Sequence, residues 1–282
     1  MATFTNQATL SYRGGTVNSN VVTGQIIEVL SATKYALVDT YGNRDTITYI
    51  VSIQNAGSTA VTGASVTDNL GAYPFGATTL VPLDYVDGSL AYYVDGVLQP
   101  TPTVVGSPEL TVSNLTVPAG GNAMIVYQTV TNEFAPPTLG GTVTNTATVN
   151  GGGETFEASE TITTESAPSL TIDKSLCPCT VTENGQITYT FTIRNFGNTA
   201  AVATDDIVVS DLFDPALSGI TVTYNGTVLV ASTDYTYDEA TGQFATVAGV
   251  ITVPAATYAQ DAVTGEWLVT PGVSTLVVTG TV

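Results

Sequence analysis

Ile47-Thr48-Tyr49-Ile50-Val51-Ser52-Ile53-Gln54-Asn55-Ala56-Gly57 recurs 140 residues later as Ile187-Thr188-Tyr189-Thr190-Phe191-Thr192-Ile193-Arg194-Asn195-Phe196-Gly197. Apolar and polar residues alternate in both copies, the period of a half-buried strand. The closing Asn-x-Gly is turn chemistry. The match extends outward. Val66-Thr67-Asp68-Asn69-Leu70 answers to Val209-Ser210-Asp211-Leu212-Phe213 at an offset of 143. Pro118-Ala119-Gly120 ahead of the alternating run 123–130 answers to Pro271-Gly272 ahead of 274–282. Asp87-Gly88, Asp95-Gly96 and Asn225-Gly226 supply hairpin turns between short runs. An internal repeat of this kind predicts an all-β chain of tandem immunoglobulin-like antiparallel β-sandwiches.

Composition agrees and removes other classes. Of 282 residues, 51 are Thr and 36 Val, stiff β-branched strand formers, and only 10% are charged, against about 25% in an average domain. The 24 acidic and 5 basic side chains leave a net charge of −19, which excludes a phosphate-coating, nucleic-acid-binding surface. Histidine is absent from the sequence, so the commonest general base and metal ligand is missing and an enzyme is not expected. No run approaches the ~20 apolar residues of a membrane helix. Met1-Ala2-Thr3-Phe4-Thr5 lacks the basic and apolar segments of a secretory signal. Cys177 and Cys179 flank one proline and read as ordinary small side chains, since a zinc site takes four ligands.

The phase of the repeat decides the functional reading. After 123–130 the first copy continues with Gly141-Thr142-Val143-Thr144-Asn145-Thr146-Ala147-Thr148-Val149, a Gly151-Gly152-Gly153 turn and a return strand at 157–164, a closing hairpin. The second copy reaches Val282 before any such hairpin, yet one stands at the front. Phe4-Thr5-Asn6-Gln7-Ala8-Thr9-Leu10 matches Val143–Val149, Gly14-Gly15 matches the glycine turn, and 17–27 matches the return strand. Asn6 and Asn145 lie 139 residues apart, the same period within one. Three parts follow: a donor hairpin at 1–27, a complete sandwich at 28–166, and a second sandwich at 167–282 that awaits its closing hairpin. A sandwich without its last strands exposes an edge and an apolar groove, while a lone hairpin is marginal in water. Residues 1–27, through Phe4, Asn6, Ala8 and Leu10, are therefore expected to complete the second sandwich of the next copy by strand addition. Such a contact is head-to-tail and propagates as a homopolymer. Folding back onto the chain's own second sandwich is the simpler alternative.

The two lysines of the chain, Lys34 and Lys174, are also 140 apart, each 13 residues ahead of the matching Ile47 or Ile187. Lysine, asparagine and a nearby carboxyl group are the ingredients of a spontaneous isopeptide bond. Burial lowers a lysine pKa and leaves a nucleophilic amine, while an acid shuttles the proton and ammonia departs. The expected pairs are Lys34–Asn145 with Asp68 inside the first sandwich, and Lys174 with Asn6 of a neighbouring subunit, assisted by Asp211. The bland counterpart makes the lysines edge or ion-pair residues and the Asn and Asp turn residues. No cofactor is implied. Asp205-Asp206, Asp234 with Asp238-Glu239, and Asp84 with Asp87 offer oxygen ligands of the kind calcium takes, but none has the spacing of a calcium loop, and no metal is assigned.

The residues just quoted, Lys34, Ile47-Thr48-Tyr49, Gln54-Asn55-Ala56-Gly57, Val66-Thr67-Asp68, Pro118-Ala119-Gly120-Gly121 and Thr144–Val149, resemble the bacterial conserved-repeat surface-protein family known as domain of unknown function eleven. The resemblance covers the chain twice, out of phase. It implies immunoglobulin-like modules strung along bacterial and archaeal surface proteins, hence an extracellular, fibre-forming or adhesive role on a cell or spore surface. The expected function is a structural subunit of an extracellular, pilus-like filament joined by donor-hairpin exchange and Lys–Asn bonds. A two-domain adhesin or stalk fragment that binds a host ligand or glycan through its loops is the alternative.

Overall fold

The structure, a computed structural model, describes residues 2–26 and 29–282, with Ala2, Thr3, Gln25 and Ile26 described by their backbone alone. Met1, Ile27 and Glu28, which the sequence reading put at the limits of the hairpin and the first sandwich, lie outside the described residues. Two compact units make up the chain: the first runs to Asn132 and takes in Val143–Ile162, and the second comprises Glu133–Thr142 and Thr163–Val282. Glu133–Thr142 is tied into the second unit by Trp267 N–H donating to the Glu133 carbonyl and Asn198 Nδ2 donating to that of Pro137.

The N-terminal segment is a hairpin of β1 (Ala2–Asn6), β2 (Thr9–Tyr12), β3 (Gly15–Asn18) and β4 (Val22–Ile26). The first sandwich follows with β5 (Leu30–Ala36), β6 (Thr40–Tyr41), β7 (Thr46–Asn55), β8 (Val61–Asp68), β9 (Tyr73–Phe75), β10 (Thr78–Leu80) and β11 (Leu83–Tyr85). It continues through β12 (Ala91–Val94), β13 (Val97–Gln99), β14 (Thr103–Val105), β15 (Leu110–Val117), β16 (Asn122–Thr131), β17 (Thr142–Gly151) and β18 (Glu154–Thr164). The second sandwich contains β19 (Leu170–Cys177), β20 (Gln186–Asn195), β21 (Ser210–Leu212), β22 (Ser218–Tyr224) and β23 (Thr227–Val228). Its remaining strands are β24 (Tyr235–Asp238), β25 (Gln243–Thr246), β26 (Thr257–Gln260), β27 (Trp267–Thr270) and β28 (Gly272–Thr281).

Both units are immunoglobulin-like antiparallel sandwiches, and their sheets correspond strand for strand up to one point. One sheet runs β13-β12-β16-β7-β5 in the first unit and β23-β22-β28-β20-β19 in the second. The other runs β14-β15-β8 and continues as β17-β18-β6, whereas its counterpart is β24-β25-β21. Asp68 on β8 opposes Leu110 on β15, as Asp211 on β21 opposes Phe244 on β25.

Alternation in sequence becomes the cores. Ile47, Tyr49, Val51 and Ile53 point inward from β7, and Ile187, Phe191 and Ile193 from β20. Leu276 and Val278 on β28 join Phe213, Tyr235 and Phe244 in the second core, where the Phe213 and Phe244 rings sit 5.8 Å apart. Asn55 and Asn195 are fully buried and accept the N–H of Gly57 and Gly197 respectively, so each closes its turn. Asp95-Gly96 and Asn225-Gly226 have positive φ at both positions, the type I′ geometry that only residues of this kind adopt readily between paired strands.

Phe244→Ala is expected to cost about 3–5 kcal/mol, the range for deleting a buried ring. Leu10→Ala, in the 65% exposed hairpin position, should stay within about 0.5 kcal/mol on the monomeric chain. Urea denaturation measures both, and equal losses would contradict the burial assigned to each.

Candidate functional site: two lysine clusters at matching strand positions

Lys34 and Lys174 occupy the same place in their sandwiches. Lys34 on β5 opposes Val51, and Lys174 on β19 opposes Phe191, the repeat counterpart of Val51. What surrounds them differs.

In the first sandwich the cluster spans both sheets. Lys34, Tyr49 and Tyr127 come from β5, β7 and β16, while Asp68 ends β8 and Asn145 lies on β17. Lys34 Nζ donates to Asp68 Oδ2 at 2.5 Å, and neither side chain is exposed to solvent. The Tyr127 hydroxyl donates to the same oxygen, and Oδ1 accepts the Leu70 N–H at 3.0 Å. Asn145 is equally buried; its Oδ1 accepts the Gly71 N–H at 3.2 Å and its Nδ2 donates to the Tyr127 hydroxyl at 3.4 Å. Leu70 and Gly71 both have positive φ, a tight turn that aims their N–H groups at the two side chains. Lys34 also stands 5.0 Å over the Tyr49 ring, which stacks on Tyr127 at 5.8 Å.

Burial sets the electrostatics of this cluster. It lowers the Lys34 pKa to about 8, with the Asp68 carboxylate opposing the shift. It pushes Tyr127 well above the usual tyrosine value, and the neighbouring Asp68 charge adds to the effect. Tyr49 is raised for the same two reasons, with the Asn145 side chain opposing the shift, and no hydrogen bond joins its buried hydroxyl to Asp68. The arrangement supplies a nucleophile, an acid–base partner for it, and an amide whose oxygen is already polarised by a backbone N–H. All three residues expected of the intradomain site, Lys34, Asp68 and Asn145, are therefore brought together. Tyr127 and Gly71 were not singled out by sequence. The repeat itself hides Tyr127, because Val278 stands at its register, opposite Tyr189 as Tyr127 stands opposite Tyr49.

In the second sandwich Lys174 Nζ donates to Asp211 Oδ2, but the side chains are 40% and 19% exposed. Among the described residues no strand lies on β21 where β17 covers β8, so water reaches the pair. Aromatic rings form the rest of the cradle, with Tyr189 at 4.4 Å, Phe213 at 5.4 Å and Phe191 at 5.5 Å from Nζ.

Phe4, Asn6, Ala8 and Leu10 all lie exposed in the hairpin. Phe4 covers Gly24 across the strands and Tyr12 covers Gly15, an aromatic-on-glycine pairing that holds the ribbon without a core. The expected single strand Phe4–Leu10 is broken at Gln7-Ala8. Asn6 opposes Val22 whereas Thr9 opposes Asn18, so the return strand holds one extra residue. Ser19 accommodates it, its hydroxyl accepting the Ala8 N–H at 3.0 Å and its carbonyl the Gln7 side-chain amide at 2.8 Å, a bulge.

The acidic stretches are engaged in hydrogen bonds of the fold itself. Asp205 accepts the Val202 N–H, Asp234 that of Val230, Asp238 that of Ala240, and Asp84 the Asn132 amide. No group of three or more His, Cys, Asp or Glu residues able to hold a metal ion occurs among the described residues. Cys177 and Cys179 are exposed free thiols. No described helix is long and apolar enough to cross a membrane.

No protein-family model matches the chain, and no curated protein matches it. Among solved structures it is similar to the N-terminal domain of the Streptococcus gordonii adhesin Sgo0707, at 15% identity and a TM-score of 0.34 over 47% of this chain and 32% of that one. It is similar also to BcpA, the major pilin subunit of Bacillus cereus, at 12% identity and a TM-score of 0.36 over 94% and 63% of the two chains. The pilus backbone RrgB of Streptococcus pneumoniae matches at 12% identity and a TM-score of 0.36 over 86% and 55%. The chain thus spans about a third of the adhesin domain and less than two thirds of either pilin.

A lysine whose pKa is lower in the folded than in the unfolded chain opposes folding while charged. Stability therefore rises with pH once the folded form loses its proton, from about 8 towards the unfolded value of 10.5. In an Asn145→Ala chain, urea denaturation should show a gain on the order of 2 kcal/mol between about pH 8 and 10. Asn145→Ala combined with Lys34→Met should lack that gain; an equal rise in both would contradict the assignment.

Proposed function

We propose that the chain is a structural subunit of a filament on a bacterial cell or spore surface, in which residues 1–27 of one copy add to the β21 edge of the next. One observation carries this reading. The sheet β14-β15-β8 continues through β17 and β18, its counterpart β24-β25-β21 ends at β21, and the exposed hairpin is the sequence counterpart of β17–β18. Leu212 on β21 and Val208 before it are exposed, as are Phe4 and Leu10 on the hairpin, so strand addition removes apolar surface on both partners. The register transfers directly. Ala147 opposes Asp68 and Thr148 opposes Thr67, which at the repeat offset puts Ala8 opposite Asp211 and Thr9 opposite Ser210. Asn6 then stands to Asp211 as Asn145 stands to Asp68. Donor and acceptor are different surfaces, so the contact is heterologous and forms an open chain.

Lys–Asn amide bonds lock this assembly in two places, Lys34–Asn145 within the first sandwich and Lys174–Asn6 between neighbouring subunits, with Asp68 and Asp211 as the assisting acids. In the first, the Lys34 ammonium passes a proton to Asp68 across their 2.5 Å contact. The neutral amine attacks Asn145 Cγ, and the Gly71 N–H stabilises the oxygen as it gains charge. The adduct nitrogen loses a proton to the acid network, the leaving nitrogen gains one, and the Cγ–Nδ2 bond breaks to release ammonia. The proposed setting is that of the conserved-repeat surface family the sequence resembles. A net charge of −19 keeps such a polymer soluble.

Negative-stain microscopy and a boiled denaturing gel test the assembly. The intact chain is expected to form filaments and a ladder of covalent multimers, and Lys174→Ala to keep filaments but lose the ladder. Removal of residues 1–27 should leave monomers. Filaments formed as readily without those residues would refute hairpin donation.

A further inference from the structure

We infer that Tyr127 is a catalytic residue of the intradomain bond: its hydroxyl carries the proton from Asp68 to the departing nitrogen of Asn145. This rests on the Lys34–Asn145 bond proposed above, and it assigns a step that the lysine, asparagine and aspartate alone leave open. Asp68 reaches the amine, since its Oδ2 accepts from Lys34 Nζ at 2.5 Å. Its hydrogen bonds run to Lys34, Tyr127 and the Leu70 N–H, and none runs to Asn145. The link to the leaving group is Tyr127, whose hydroxyl donates to Asp68 Oδ2 and accepts from Asn145 Nδ2 at 3.4 Å. The four groups form one line from nucleophile to leaving group.

Amide nitrogen is a poor leaving group until it is protonated, and it has no basic lone pair until the carbonyl carbon becomes tetrahedral. At that point Nδ2 turns from donor to acceptor. The hydroxyl that had accepted from it then donates to it, Asp68 refills the hydroxyl, and the adduct nitrogen of Lys34 refills Asp68. The new bond is Nζ–Cγ, the broken bond is Cγ–Nδ2, and ammonia leaves. Tyr127 is unchanged and Asp68 remains the neutral acid that the first transfer made it. Removing the relay leaves that proton without a route through a site closed to water, since Lys34, Asp68, Tyr127 and Asn145 are all buried.

Tyr49 is the built-in comparison. Its buried hydroxyl stands on the same aromatic stack and feels the Asn145 side chain, but no hydrogen bond joins it to Asp68, so the acid cannot refill it. The second sandwich keeps Tyr189 at the place of Tyr49 but has Val278 at the place of Tyr127.

The test follows intact mass with time after purification of the full-length chain carrying Lys174→Ala, which blocks the intersubunit bond, as the parent and with Tyr127→Phe or Tyr49→Phe added, with circular dichroism to establish that each is folded. The parent chain should be lighter by one ammonia at the first time point, with the Lys34–Asn145 branched peptide in a digest. Tyr127→Phe should start unreacted and close at least about 100-fold more slowly, the usual scale of a lost acid–base group. Tyr49→Phe should react like the parent. A folded Tyr127→Phe already complete at the first time point, or Tyr49→Phe equally slow, overturns the relay. A parent chain of full mass overturns the intradomain bond itself. If Tyr127→Phe is not folded, Tyr127→Met, which keeps an apolar filler without the hydroxyl, answers the same question.

Discussion

An antiparallel strand carries hydrogen-bonding groups along both edges, and a sheet is finished only when its last edge is covered, shortened or blunted. The two sandwiches of this chain meet that constraint differently. In the first, β8 is flanked by β15 and β17, and the sheet runs on to the two-residue β6. In the second, β21 is flanked by β25 on one side, and its other edge is open among the described residues. Three residues is a short edge strand, but Leu212 on it and Val208 before it are exposed, and Asp211 is the one charged residue on it. The proposed filament follows from closing that edge with the strand pair that closes it in the repeat.

The same difference governs the chemistry. Burying an ammonium and a carboxylate together is costly, and a buried pair seldom repays its desolvation unless its hydrogen bonds are complete. Around Lys34 they are nearly so, with Tyr127 and the Leu70 N–H completing Asp68. Forming an amide between Lys34 and Asn145 disposes of both charges at once, which makes the cluster intelligible as a set of reactants. Lys174 and Asp211, still wet, have the aromatic cradle but not the enclosure. In the proposed filament a strand laid along β21 would supply enclosure and amide together, making docking and bond formation one sequence of events.

Much of this was legible in the sequence because the repeat preserves register. The 140-residue spacing of Lys34 and Lys174 survives as identical cross-strand pairing, and the Asn-x-Gly signals of Asn55 and Asn195 survive as identical buried turns. Lys34, Asp68 and Asn145 could be grouped from three strands that only the fold brings together. Three features were not legible. Tyr127 is concealed by comparison with Val278, since a repeat argument looks for sameness and this residue differs. The exposure of Lys174 depends on which strands flank β21, a tertiary fact. The bulge at Ser19 turns on one extra residue in a return strand whose alternation is too weak to fix its partner.

The most direct measurement of the central claim is a reconstruction of the filament at side-chain resolution. The account predicts a hairpin of one subunit lying antiparallel along β21 of the next, with Ala8 opposite Asp211 and continuous density from Lys174 Nζ to Asn6. A filament whose β21 edge is bare, or is covered by the hairpin of its own subunit, would contradict it.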